Sequence, residues 1–148
     1  MSPDTIRVRD ATSEDAEQLV PLLETLGYGA DPVTIADRLH RLLAIDPTGR
    51  VLVAADGHQL VGFAVLHCTP ALHRPTAVGR ITAIAVRPSV QGSGVGRALL
   101  RAAEDYFREL GLTRIEVTSG PTHARAYVFY RRLGYEDQGV RFAKGLTV

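Results

Sequence analysis

The sequence predicts a single α/β domain built on a mixed, mostly antiparallel sheet. Three observations lead there. Segments with strand and helix periodicity follow in the order strand, two helices, three strands, helix, strand, helix, two strands: about seven strands and about four helices. The chain has 148 residues, 45% hydrophobic and 22% charged, which suits one globular domain with a core of its own. No internal repeat, low-complexity tract or linker interrupts it, so residues 1–148 read as one domain.

Ile6 to Ala11 is a short first strand. Thr12 suits a helix N-cap, with Asp15 as its capping-box partner, and Ala16, Leu19, Val20, Leu23 and Leu26 follow at helical spacing. Gly27 and Gly29 stop that helix. The second runs from Pro32 to Ile45, with Val33, Ala36, Leu39, Leu42 and Leu43 on its apolar side. Asp46, Pro47 and Gly49 make a turn. Strands Arg50 to Ala55 and Gln59 to Cys68 flank the hairpin signal Asp56-Gly57. Ala77 to Val86 is a strand that Pro88 ends, since proline cannot donate to the ladder. A helix from Val95 to Leu110 presents Val95, Leu99, Ala103, Tyr106 and Leu110, and Gly111 closes it. Arg114 to Thr118 is a strand and Thr122 to Leu133 a helix closed by Gly134. Tyr135 to Leu146 reads as a last hairpin.

Charge and cysteine content exclude several classes. The formal net charge is +1 and the basic residues form no stripe, so no nucleic-acid partner is expected. The single cysteine, Cys68, allows no internal disulfide, and a reducing compartment, the cytoplasm, is expected. No apolar stretch suits a signal peptide or a membrane span. The five histidines show no metal-ligand spacing, so no metal is expected.

The most informative segment is Ile81 to Leu100, a strand, a glycine loop and a helix start. Gly92, Gly94 and Gly96 let backbone approach a ligand closely, and the first amides of a helix favour an anion such as a pyrophosphate. A Walker loop would need Lys and Ser or Thr after the last glycine, where Arg97 and Ala98 stand. A Rossmann fingerprint would need G-x-G-x-x-G near an early first strand, whereas the spacing here is G-x-G-x-G. A glycine-rich helix start with no ligand remains open on loop composition alone.

Gln91-Gly92-Ser93-Gly94-Val95-Gly96 resembles the Q/R-x-x-G-x-G/A motif of the GCN5-related N-acetyltransferase (GNAT) superfamily. The flanking apolar strand, Arg87-Pro88 and Arg97-Ala98-Leu99-Leu100 resemble it as well. Farther on, Ala126-Tyr-Val-Phe129-Tyr130 through Gly134-Tyr135 is similar to the family's second motif, A-x-x-F-Y-x-x-x-G-F/Y. The order of elements matches over nearly the whole chain.

The resemblance implies a GNAT-like domain that transfers an acetyl group from acetyl-coenzyme A, its acetyl-donor cosubstrate, to a primary amine. The strand before the loop would splay from its neighbour. Backbone groups of Ile84, Ala85 and Val86 would pair with the pantetheine arm, and amides of Gln91, Gly92, Ser93, Gly94, Val95, Gly96 and Arg97 would hold the pyrophosphate. Ala126, His123 and Tyr130 would complete the cofactor set, His123 standing where many members carry asparagine. Tyr130 would donate a proton to the leaving sulfur as general acid. A backbone N–H near Ile84 or Ala85 would meet the developing oxyanion.

Some members carry a glutamate on the strand before the loop, but Arg80-Ile81-Thr82-Ala83-Ile84 has no carboxylate. His67 is the candidate base, because imidazole titrates near neutral pH. Glu116 reads as a solvated or paired side chain, and relay through water is the alternative. Glu24, Tyr28 and Asp31 could meet a cationic amine or simply end helices. The acceptor is expected to be a small-molecule, peptide or protein amine, and a homodimer is among the assemblies allowed. The rival function is a non-catalytic acyl-CoA-binding or sensor domain.

Overall fold

The computed structural model describes residues 5–118 and 124–147. It divides into two compact units, Met1–Thr118 and Ser119–Val148. The first holds β1 (Ile6–Asp10), α1 (Ala16–Thr25), α2 (Pro32–Ile45), β2 (Arg50–Asp56), β3 (Gln59–Thr69), β4 (Val78–Val86), α3 (Val95–Glu109) and β5 (Ile115–Val117). The second holds α4 (Ala124–Arg132). Among the described residues no helix is long and apolar enough to cross a membrane.

The strands form one sheet in the order β1-β2-β3-β4-β5. The first four run antiparallel, and β5 pairs parallel to β4. The Asp56-Gly57 turn joins β2 to β3, with Gly57 in the left-handed region at φ 62°. Val51 to Ala55 are all buried, so β2 reads as a continuous apolar run covered on both faces. Val51, Val53 and Phe63 pack with Leu19 and Leu22 of α1 and Ile35 and Leu39 of α2. The opposite face lies under α3.

Helix starts follow side-chain chemistry. Asp31 caps α2 by accepting from the Thr34 N–H at 2.8 Å, and Pro32 stands in the first turn, where a missing N–H costs nothing. Asp15 accepts the Thr12 N–H at 2.8 Å and takes both guanidinium nitrogens of Arg9 at 2.8 Å. Asp15 is the one buried charged side chain among the described residues, and the Arg9 bonds hold its carboxyl below the ordinary carboxylate range.

Three expectations are corrected. The inward face of α2 is Ile35 and Leu39, while Val33 and Leu43 are exposed. Ile35, Leu39 and the partly buried Leu42 recur at i, i+4 and i+7, the stripe that meets the sheet. On α3 the face ends at Phe107, not Leu110: the helix stops at Glu109, and Gly111, at φ 77°, turns the chain away. The last hairpin does not form, so the described sheet has five strands rather than seven. Val140, Phe142 and Leu146 are exposed, so that segment has no buried apolar face to hold a strand pair.

Two glycines set how closely α3 lies on the sheet. A Cβ at Gly62 would come within 2.9 Å of Val95 Cγ1, and one at Gly79 within 2.6 Å of the Phe107 ring. Gly79→Ala should therefore destabilise the fold by about 1–3 kcal/mol, the usual cost of overpacking. Phe107→Leu in the same chain should recover part of that loss, since coupled neighbours are non-additive. Thermal denaturation of both variants checks the contact.

Candidate active site

Hydrogen bonding along β4 changes sides. Near its start, the Gly79 N–H donates to Arg114 O of the β5 segment at 3.0 Å. Just past its end, the Arg87 N–H donates to Val61 O of β3 at 2.8 Å. Among the described residues, the ladder to β5 covers Gly79, Arg80 and Ile81. The register with β3 shifts at the same place, with Val65 opposite Ala83 but Leu66 opposite Ile81, so Thr82 is an extra residue. The Arg87 bond sets the phase beyond it. Ala83 and Ala85 turn their backbone groups to Val65 and Phe63, and Ile84 and Val86 turn theirs to the opposite edge. Of the three residues expected to bind through backbone, Ala85 is therefore committed to β3.

β4 runs on into the glycine loop. Gly92 and Gly94 have φ of 86° and 97°, a region that other residues enter only with strain. Gly94 is the N-cap of α3 and no side chain caps it. The first intrahelical bond is Ala98 N–H to Gly94 O at 3.1 Å, so the N–H groups of Val95, Gly96 and Arg97 have no partner within the helix. Residues 87 to 97 include no carboxylate, so nothing there repels an anion at the positive end of the helix dipole. Gln91 and Ser93 differ from expectation: their N–H groups bond within the loop, to Pro88 O at 3.4 Å and Val90 O at 3.3 Å. The Gln91 side chain instead donates to Val86 O at 3.4 Å. The Val95 side chain is buried, while Arg97 is exposed.

In the second unit, Tyr130 sits on α4 with its ring against Phe129 and Tyr135, centroids 5.3 and 5.8 Å away. Burial pushes its hydroxyl up to about 12, so it stays a neutral donor throughout the physiological range. Ala126 lies one turn earlier on α4, and His123 lies outside the described residues.

His67 is on β3 opposite Arg80, and its Nδ1 lies 2.8 Å from Asp46 Oδ2. Glu116 accepts from Arg114 Nε at 2.8 Å and Arg80 at 3.2 Å, and Arg114 first, then Arg80, lower its pKa. It is held ionised with both oxygens engaged, which fits the paired role rather than proton transfer.

The chain matches the acetyltransferase (GNAT) family over residues 14–135. It belongs to that family. Its activity is therefore the transfer of an acetyl group to an amine. It is 31% identical to an aminoalkylphosphonate N-acetyltransferase of Salmonella typhimurium over 140 residues, 94% of this chain and 90% of that protein. It is 34% identical to an aminoglycoside N(6')-acetyltransferase type 1 of Stenotrophomonas maltophilia, over 88% of this chain and 86% of the relative. The solved aminoglycoside acetyltransferase from an uncultured soil metagenomic sample shares its fold, with a TM-score of 0.81 at 22% identity over 98% and 99% of the two chains.

For this acetyltransferase, sequence reasoning missed the partner of His67. Asp46 had read only as a turn residue, 21 positions away in sequence, and no local signal links the two. Of the acceptor candidates, Asp31 is engaged as a helix cap, and Tyr28 and Glu24 are exposed. Gly94 and Gly96 also separate. Gly94 needs the left-handed region, and Gly96 does not. Gly94→Val should lower unfolding free energy by about 1–2 kcal/mol more than Gly96→Val, the cost of a left-handed non-glycine residue. Chemical denaturation of the two variants measures that difference.

Proposed function

We propose that this acetyltransferase takes its acetyl group from acetyl-coenzyme A and passes it to the primary amine of a small molecule. The observation that carries the reading is the edge of β4 that presents Ile84 and Val86, leading straight to the Gly94-capped start of α3. An amide-bearing pantetheine arm suits a strand edge, and a pyrophosphate suits the amides of Val95, Gly96 and Arg97. The names of the two relatives above, an aminoalkylphosphonate and an aminoglycoside acetyltransferase, support a small-molecule acceptor.

In this reading His67 takes a proton from the substrate ammonium, freeing the lone pair that attacks the thioester carbon. A C–N bond forms and the C–S bond breaks. The Tyr130 phenol gives its proton to the departing sulfur and regains one from the newly acylated nitrogen through solvent. The sum is an amide, a free thiol and one proton released. An N–H of the β4 edge, near Ile84, meets the carbonyl oxygen as negative charge builds there. Ala126, from the second motif, joins the coenzyme site, as does His123.

Thiol release from acetyl-coenzyme A with a panel of amines tests the reading, alongside melting with and without coenzyme A. Coenzyme A at ~100 times its Kd should add ~2.7 kcal/mol of stability. Gly94→Val and Gly96→Val should both lose that gain while remaining folded by circular dichroism. Tyr130→Phe should cut turnover by ~10²–10⁴-fold, the range for a lost general acid. The Kd for acetyl-coenzyme A should move less than about tenfold, since one ordinary hydrogen bond is worth ~0.5–1.5 kcal/mol. Binding without turnover for every amine would favour the sensor domain instead.

A further inference from the structure

We infer that Asp46 is a positioning residue for the acetyl-transfer reaction, orienting His67 so that its Nε2 accepts the substrate's proton. The inference rests on the proposed role of His67 and extends it to a residue with no part in the coenzyme site.

Asp46 stands just after α2 and its carboxylate is fixed from several directions. Oδ1 accepts from the Thr48 N–H at 2.9 Å and from Thr48 Oγ1 at 2.7 Å. Oδ2 meets His67 Nδ1 at 2.8 Å. The Gly49 N–H closes the turn on Asp46 O at 3.0 Å, and the Tyr106 hydroxyl of α3 anchors it by donating to Thr48 O at 2.7 Å. A Cβ at Gly49 would come within 3.1 Å of Asp46 Oδ2, so glycine leaves room for the carboxylate.

This arrangement selects a tautomer. The bonds from His67 and then Thr48 lower the Asp46 pKa, so the group is ionised at neutral pH and can only accept. Nδ1 of neutral His67 must then carry the hydrogen, which leaves the lone pair on Nε2. A histidine without such a partner samples both tautomers and several ring rotations.

The position suits the reaction. His67 lies on the strand next to β4, opposite Arg80, and Thr82 is the extra residue at which β4 changes phase. With strands ~4.8 Å apart and ~3.3 Å of rise per residue, the His67 backbone is within about two residues of that point. The other charged groups around it are matched among themselves. Arg80 and Arg114 bond Glu116, and Arg74 also acts on Glu116. Asp46 is the carboxylate that meets the imidazole.

The test compares Asp46→Asn, His67→Gln and the double variant in steady-state acetylation. Asp46→Asn should lower kcat by ~10–100-fold, as loss of an orienting partner does in comparable carboxylate–histidine pairs. The KM for acetyl-coenzyme A should be unchanged. In the His67→Gln background the same substitution should cost nothing more. Gly49→Ala, which crowds the carboxylate without removing it, should give a smaller effect of the same kind and serves if Asp46→Asn does not fold. An unchanged kcat, or an equal loss with and without His67, would overturn the inference while wild-type activity left the proposed function standing. Absence of thiol release from wild type with every amine would remove both.

Discussion

The structure turns on the bulge at Thr82, where β4 changes the side to which its backbone groups point. A β-strand interior to a sheet satisfies its backbone on both sides, and buried backbone groups are rarely left unpaired. Among the described residues, β4 pairs with β5 from Gly79 to Ile81. Thr82 then inserts an extra residue, and beyond it Ile84 and Val86 direct their N–H and C=O groups away from β3. A bulge is a compact way to make this change: it moves the hydrogen-bonding phase by one residue without breaking the ladder to β3. The same strand therefore holds the core together and presents the edge to which the proposed coenzyme site is assigned.

That edge is useful only if the helix behind it ends in the right place. α3 is drawn onto the sheet by Gly62 and Gly79, where absent side chains admit Val95, Leu99 and Phe107. Val95 is thus a core residue one position after the Gly94 cap, and packing at one end of the helix aims its first amides. Gly94 contributes differently: its left-handed backbone turns the chain so that the helix begins without a side chain over its N-terminus. The loop residues Gln91 and Ser93 spend their amides on holding this shape.

Beyond Ile81 in the other direction, the end of the sheet is built from charge pairs. Glu116 joins Arg80 to Arg114, while Asp46 and His67 form a separate pair at the turn after α2. A carboxylate bound by two guanidiniums is a poor proton acceptor. An imidazole held at Nδ1 by one carboxylate keeps Nε2 free to accept. The division between the two pairs favours His67 over Glu116 as the proposed base.

The sequence by itself determined the element order and the place of the glycine loop, because periodicity and glycine spacing are local properties. It also marked Tyr130, through a second motif thirty positions after Gly96. It misjudged which residues of α2 face inward, since one position of rotation hardly changes an amphipathic pattern. It also expected a last hairpin over a segment whose apolar side chains stay exposed. Only the tertiary structure decided which backbone groups of β4 face the open side, because a single inserted residue reverses that choice and leaves no trace in composition. It also brought Asp46 to His67. Their contact spans 21 residues and depends on how α2, β2 and β3 pack, a relation that no short window of sequence encodes.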